Sequence, residues 1–260
     1  RSGTMGRLLT FRDITEQRLL EAYRDEVFDM VVHDLRSPLT LMISTLEFII
    51  EDSQESAGPE TSELIDEMMP TALANMRRLL SLVDSLLEIA KLQQRRMPMK
   101  WSVTSIAPVI QAAADEIGAS IREAQITLAL DIAPDLPAVR IDEGQIRRVL
   151  LNLLDNAQRY TPTGGTIQIS AQATPDNRVL VRVADSGQGI PPGDVERVFD
   201  KFHQAKGSKQ HRGGRGTGLG LTFCWLSLQA HGERIWVEPS GPLSGACFAF
   251  TLPVAPAGTK

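Results

Sequence analysis

The chain of 260 residues has no uninterrupted apolar run long enough to cross a bilayer as a helix, which takes about eighteen residues. Its opening stretch, RSGTMGRLLTFRD, lacks the apolar centre of a secretory leader. A span upstream of this stretch is left open by both observations. Cysteine is scarce: Cys224 and Cys247 lie far apart and have no metal-ligand spacing. Two free thiols in a reducing, cytoplasmic setting are the expectation. No basic patch dominates, and the formal net charge is -5, which argues against nucleic acid as a partner. The glycine run from Gly213 to Gly220 lacks the Gly-Lys-Ser/Thr of a P-loop. What is there is enough chain for two modest domains, each with its own core.

The stretch FDMVVHDLRSPLT, from Phe28 to Thr40, organises the first of them. Apolar residues recur every seven positions at Phe28, Leu35, Met42 and Ile49, with Val31, Val32, Leu39 and Leu46 between. This is the stripe of a bundle helix facing a core. With Phe28 at heptad position a, His33 falls at f, on the side away from the stripe; Asp34 falls at g and Ser37 at c. A histidine in an apolar segment is more often a satisfied core residue, but this phase points outward. An exposed neutral imidazole is a usable nucleophile, and Asp34 beside it can accept a hydrogen bond or proton. Pro38 removes one backbone donor and is expected to bend the helix.

The helix is expected to run from about Glu16 to Asp52 and to turn through SQESAGP, Ser53 to Pro59. A second helix, about Glu60 to Gln94, repeats the pattern at Met69, Met76, Val83 and Ala90. Pro70 should kink it or split off its first turns. One stripe per helix cannot be buried within a single hairpin, so two hairpins in a homodimeric four-helix bundle are expected over 16–94. A monomeric hairpin against the next domain is disfavoured by the length of the stripe.

Beyond a polar linker at Gln93 to Pro98, the pattern changes. Strands are expected at Met99–Val103, Ile126–Ile132, Thr166–Ala173, Arg178–Ala184, Arg234–Glu238 and Ala246–Leu252. Helices are expected at Ile106–Ala124, Asp142–Tyr160 and Gly218–Ala230. Antiparallel hairpins with helices between them describe an α+β fold over 95–260, an α/β sandwich of one sheet with helices on one face.

Four stretches of this second domain carry polar groups where a core would exclude them. In NLLDNAQRYT, Asn152, Asn156 and Arg159 share one helix face. Two amides and a guanidinium there suit a metal-bound polyphosphate, because Mg²⁺ prefers hard oxygen ligands and arginine pairs with phosphate. An ordinary polar face would be the reading if this stretch stood alone. In DSGQGIP, Asp185 ends an apolar strand, where a carboxylate can accept the exocyclic amine of adenine, and Gly187 and Gly189 let the backbone approach the base. VFDKF holds Phe199 and Phe202, two anchors for a loop or two plain core residues. In GGRGTGLGL, glycines open a helix and offer free N–H groups to phosphate. Between the last two lies the polar, basic stretch Ala205 to Arg212, which reads equally as a mobile lid or a solvated loop.

His-Asp-Leu-Arg-Ser-Pro-Leu resembles the phospho-acceptor box of the sensor histidine kinases of two-component systems. In order and spacing, the four later stretches resemble the N, first glycine, F and second glycine boxes of that family's Bergerat-type (GHKL) ATP domain. The resemblance implies ATP and Mg²⁺ as cofactors, with Asn156 and Asn152 at the metal and Tyr160 packed on the nucleotide. It further implies Asp185 on the adenine amine, Gly187 and Gly189 in the base loop, and Gly216, Gly218 and Gly220 at the phosphates. Phe202, Arg215, Thr217 and Leu219 fall within the same nucleotide-binding boxes. Leu8 to Thr15 is similar to the closing strand and Asp-Ile-Thr exit of PAS sensor domains, which implies that 1–15 ends such a domain.

The implied activity is attack of His33 on the γ-phosphate of ATP, followed by transfer to an aspartate of a response regulator. Ser37 stands where Thr or Asn is commoner for positioning water in the reverse reaction, so weak regulator phosphatase activity is expected. Arg159 stands for the usual Lys. Leu221-Thr222-Phe223-Cys224-Trp225 is bulkier than the family's run there, and Glu233 replaces a glycine after His231-Gly232. A non-catalytic ATP-binding scaffold is the main alternative. A gyrase-like ATP hydrolase is less apt, because it would place a general-base Glu where Asn152 stands.

Overall fold

The structure is a computed structural model, and it describes Arg36 and residues 39–40, 42–44, 46–47, 50–51, 59–94, 98–201, 203, 218–239 and 241–256. The chain divides into two compact units, Arg1–Leu87 and Glu88–Lys260. Among the described residues, no helix is long and apolar enough to cross a membrane. The PAS-like reading of 1–15 lies outside the described residues.

In the first unit, the described residues from Arg36 to Glu51 are helical. The helix α1 (Pro59–Gln93) starts here, with a proline at its first position, where the missing N–H costs nothing. It does not split at Pro70, which is exposed on its surface. Arg36 pairs with Asp84, and Arg77 with Glu47. The earlier residue of one segment meets the later residue of the other, as an antiparallel hairpin requires. Both pairs are well exposed, so each contributes only about 0–1 kcal/mol. Orientation therefore comes from the apolar stripe: Leu73 and Leu87 are buried, while Met42 and Leu79 stay 49% and 50% exposed.

The second unit runs β1 (Trp101–Thr104), α2 (Ile106–Glu123), β2 (Thr127–Ile132), β3 (Val139–Asp142), α3 (Glu143–Tyr160), β4 (Thr166–Thr174) and β5 (Arg178–Asp185). It ends with α4 (Gly220–Ala230), β6 (Ile235–Val237) and β7 (Cys247–Pro253). Five strands form one sheet in the order β2-β4-β5-β7-β6, and β1 and β3 form a separate antiparallel pair. The architecture is the expected mixed helix and sheet, with three differences. β3 was not anticipated; it is short and follows a proline-bounded turn. The second sheet that it makes with β1 was likewise not expected. β2 pairs with β4 in parallel, where hairpins were expected, because α3 carries the chain back to the same end before β4 begins.

The helices bury one face each. α2 buries Ile106, Val109, Ile110, Ala113, Ala114 and Ile121, and α3 buries Ile146, Val149, Leu150, Leu153, Leu154 and Ala157. α3 packs against α2 and α4 and faces β4 and β5. From the sheet, Ile167, Ile169, Val181, Val183, Phe248 and Phe250 complete the core.

Asp142 starts α3 and joins three elements. Its Oδ1 accepts from the Gln145 N–H at 3.1 Å, and its Oδ2 accepts from the Lys100 N–H at 2.8 Å. Its own N–H donates to His231 Nε2 at 3.0 Å. His231 Nδ1 lies 2.7 Å from the Ser227 carbonyl, so the proton sits on Nδ1 and the ring is neutral. The ring is buried and meets Trp101 edge to face at 5.2 Å. Next to it, Glu233 accepts from Arg178 and from Thr251, tying the end of α4 to β5 and β7.

Burial holds the His231 imidazole below its ordinary titration range. The unfolded chain therefore binds more protons than the folded one between the lowered value and the ordinary one. Stability from this ring is complete above about pH 6.5 and is lost as pH falls through the folded value. Urea denaturation of the wild type should show this fall. His231→Ala should be about 1–3 kcal/mol less stable at neutral pH, since the Asp142 N–H loses its acceptor, and should lack that part of the pH dependence.

Candidate functional site

The polar face of α3 is fixed by its apolar one. With Leu150, Leu153 and Leu154 fully buried, Asn152, Asn156, Arg159 and Tyr160 are left half-buried at the C-terminal half of the helix. Asn152 Nδ2 donates to the Arg148 carbonyl at 3.0 Å, which fixes which end of the amide carries the oxygen. That Oδ1 faces the start of α4: a Cβ on Gly220 would lie 3.0 Å from it. The Asn156 amide has no hydrogen bond among the described residues, so its oxygen is available to a ligand. The Arg159 guanidinium, 19% exposed, pairs with Asp155 one turn back at 3.1 Å.

β5 ends on Asp185, and its carboxylate is buried. Oδ1 accepts from the Gly187 N–H at 2.8 Å and the Ala246 N–H at 3.1 Å. Burial pushes the carboxyl above its usual range, and the two N–H donors oppose that. Oδ2 has no hydrogen bond among the described residues. The Asp185 loop lies against the end of α3. A Cβ on Gly187 would stand 2.5 Å from the Tyr160 carbonyl, so only glycine permits this approach. Gly189 continues the loop in the left-handed region, at φ 74°.

Gly218 and Leu219 lead into α4, Gly218 with φ 71° and Leu219 buried. The helix opens on Gly220 without a side-chain cap. Among the described residues no side chain caps its first turn, and the positive end of the helix lies beside Asn152. Three of the stretches thus converge: Asn152 with Gly220, and Tyr160 with Gly187 and Asp185. His33, Asp34, Ser37, Phe202, Arg215, Gly216 and Thr217 lie outside the described residues. Of the F stretch, Phe199 stacks edge to face on Phe248 at 6.2 Å, and its carbonyl accepts from Thr222 Oγ1 at 2.9 Å.

Residues 141–256 match the family described as histidine kinase-, DNA gyrase B-, and HSP90-like ATPase, and residues 23–95 match the His Kinase A (phospho-acceptor) domain. The chain belongs to the sensor histidine kinases. It is 36% identical over 232 residues to the adaptive-response sensory kinase SasA of Synechococcus sp. (strain JA-2-3B'a(2-13)), covering 89% of this chain and 60% of that protein. It is 34% identical over 251 residues to the alginate biosynthesis sensor protein KinB of Pseudomonas aeruginosa, covering 96% of this chain and 40% of that protein. Among solved structures, full-length ShkA in complex with AMPPNP superposes with a TM-score of 0.74 at 26% identity, over 90% of this chain and 47% of that one. The chain thus spans 60% or less of the length of these two curated relatives.

Two features of the site carry no signal in the sequence motifs. Gly245 and Ala246 reach Asp185 through their backbone, which no side-chain motif announces. Arg148, one turn before Asn152, lies over the Phe223 ring at 4.6 Å, and burial lowers its guanidinium from the ordinary range. The one available signal for Arg148 was its position four residues before Asn152 on the same face. The bulky run after Gly220 finds its place in these contacts: Thr222 holds Phe199, Phe223 lies under Arg148, and Cys224 Sγ contacts the Val149 carbonyl at 3.7 Å.

Gly187→Ala should force the Asp185 loop away from the end of α3. A loss of about 1–3 kcal/mol in urea denaturation is expected from the overlap with the Tyr160 carbonyl. Wild-type stability would show that the loop and helix separate without cost.

Proposed function

We propose that this chain is an ATP-dependent protein-histidine autokinase that phosphorylates His33 and passes the phosphoryl group to an aspartate of a response regulator. The observation that carries the reading is the convergence of the Asn152–Tyr160 helix face, the buried Asp185 and the start of α4, in a chain that also carries the phospho-acceptor domain. The AMPPNP held by ShkA supports a nucleotide as the ligand. The chain divides, in this reading, into 1–15, 16–94 and 95–260, with the nucleotide in the last part. In this reading Asp185 Oδ2 accepts the adenine amine, with Gly187 and Gly189 under the base, and Tyr160 packs on the nucleotide. The phosphates lie at Gly216, Gly218 and Gly220 and at the first turn of α4, and Arg215, Thr217, Leu219 and Phe202 are assigned to the same nucleotide site.

The residues fit Mg²⁺: the Asn156 oxygen is unengaged among the described residues, the Asn152 oxygen faces Gly220, and both are hard donors. Bound there, the ion would neutralise charge on the phosphate oxygens. Arg159 contributes a second positive charge. The His33 imidazole attacks the γ-phosphorus in line with the bridging oxygen to the β-phosphate, that P–O bond breaks and ADP leaves, and Asp34 orients or deprotonates the ring. No Glu stands at Asn152 to activate water, so transfer is favoured over hydrolysis. A weak phosphatase activity through Ser37 belongs to the same reading. Ser37→Ala should then slow decay of a phosphorylated regulator and spare autophosphorylation.

Two tests follow from these assignments. With labelled ATP, the wild type should acquire acid-labile, base-stable label. His33→Gln should acquire none while keeping ATP affinity within about twofold, and Asn156→Ala should lose Mg-dependent affinity by about tenfold or more. Label persisting in the His33 variant would assign the acceptor elsewhere, and ATP binding with no label on the wild type would favour the scaffold.

The half-exposed Met42 and Leu79 support a homodimer, since each leaves part of the stripe uncovered within one chain. Residues 16–94 should sediment as a helical dimer at micromolar concentration, and Leu79→Glu should shift them toward monomer. A wild-type monomer would count against the four-helix bundle.

A further inference from the structure

We propose that Gly245 is a positioning residue for base selection: its lack of a side chain lets the Gly245–Ala246 backbone close on Asp185 and fix the carboxylate that reads adenine. This rests on the reading of Asp185 given above. The register of β5 with β7 pairs Ala184 with Cys247, so the residues just before Cys247 run beside Asp185. Asp185 N–H donates to the Ala246 carbonyl at 2.9 Å, and Gly245 N–H donates to the Asp185 carbonyl at 2.9 Å. Ala246 N–H donates to Asp185 Oδ1 at 3.1 Å, beside the bond from Gly187 at 2.8 Å.

A Cβ at position 245 would stand 2.1 Å from Asp185 Oδ1, 2.4 Å from the Asp185 carbonyl oxygen and 2.5 Å from the Gly187 nitrogen. Two of these are backbone atoms, held by the strand and by the loop that abuts Tyr160. The third is the carboxylate oxygen itself. A side chain here must either lift the 245–246 segment or turn the carboxylate. In both cases Oδ1 loses a donor, and Oδ2 is no longer aimed from a fixed rotamer. Burial already disfavours the charged carboxylate, so losing a donor also moves the group toward its protonated form. A protonated carboxyl donates rather than accepts. It would tolerate a 6-oxo purine where a 6-amino purine is preferred.

The test compares affinities for ATP and inosine triphosphate, which differ at the 6-position of the base, by calorimetry on the full chain with Mg²⁺. The wild type should prefer ATP. Gly245→Ala should reduce the ATP-to-ITP affinity ratio by about tenfold while ITP affinity changes little, a split that general loosening of the fold would not give. A folded Gly245→Ala with the wild-type ratio overturns the inference. Should that variant fail to fold, an ester in place of the 246 amide, made by substituting lactic acid for Ala246, removes the donor without adding bulk. It must lower the ratio too, and an unchanged ratio overturns the inference. Asp185→Ala separates the two levels. It should abolish the preference; if it leaves the ratio intact, the reading of Asp185 itself fails and the inference falls with it.

Discussion

The leucine face of α3 is the constraint on which the second unit depends. Leu150, Leu153 and Leu154 are fully buried against neighbouring elements. Each stabilises the fold by about 1.5–3 kcal/mol relative to exposure. That energy fixes the rotation of the helix about its axis. Turning α3 to bury Asn152 or Asn156 would expose leucines and strand amides without partners. The polar face is therefore held toward α4 and the Asp185 loop by the packing behind it. The fold in this sense selects the site: the same helix that anchors the core delivers the amides.

Asp185 is the counterpart on the sheet. A buried carboxylate is costly unless donors hold its charge, and here the donors are backbone N–H groups rather than side chains. Backbone donors need close approach, and close approach needs glycine at Gly187 and Gly245. The antiparallel register of β5 and β7 brings the second of these into place. A carboxylate held from one side by Oδ1 presents Oδ2 in a fixed direction, which a mobile surface carboxylate cannot do.

Local patterns were legible because local physics decides them. The three-and-four spacing of Asn152, Asn156 and Arg159 places them on one face whatever surrounds the helix. The limits of α2 and α3 follow from apolar periodicity and from caps such as Asp142. The features that escaped depend on residues far away in sequence. β3 is a strand because Trp101–Thr104 pairs with it from the other side of α2. The parallel match of β2 to β4 depends on where α3 releases the chain. Gly245 reads as one more turn glycine until Asp185, sixty positions earlier, is seen to occupy the space a Cβ would need. Pro70 does not split its helix: α1 continues through it with the ring at an exposed position.

The departures from the family pattern bear on whether the site can act. Glu233, in place of a glycine, would be a costly buried charge on its own. Its partners Arg178 and Thr251 satisfy it at the far end of α4 from Gly220. Arg159 bears on the site directly, because its guanidinium already has a partner in Asp155. That carboxylate is 67% exposed, and an ion pair with so solvated a partner is worth about 0–1 kcal/mol. In the proposed reading a polyphosphate, which carries more charge than Asp155 and can engage arginine bidentately, displaces that carboxylate at little cost. The pair with Asp155 is one contact that holds the guanidinium on the polar face of α3. Arginine in place of lysine therefore retains the cation, and its pairing with a solvated carboxylate leaves the proposed phosphate contact open to it.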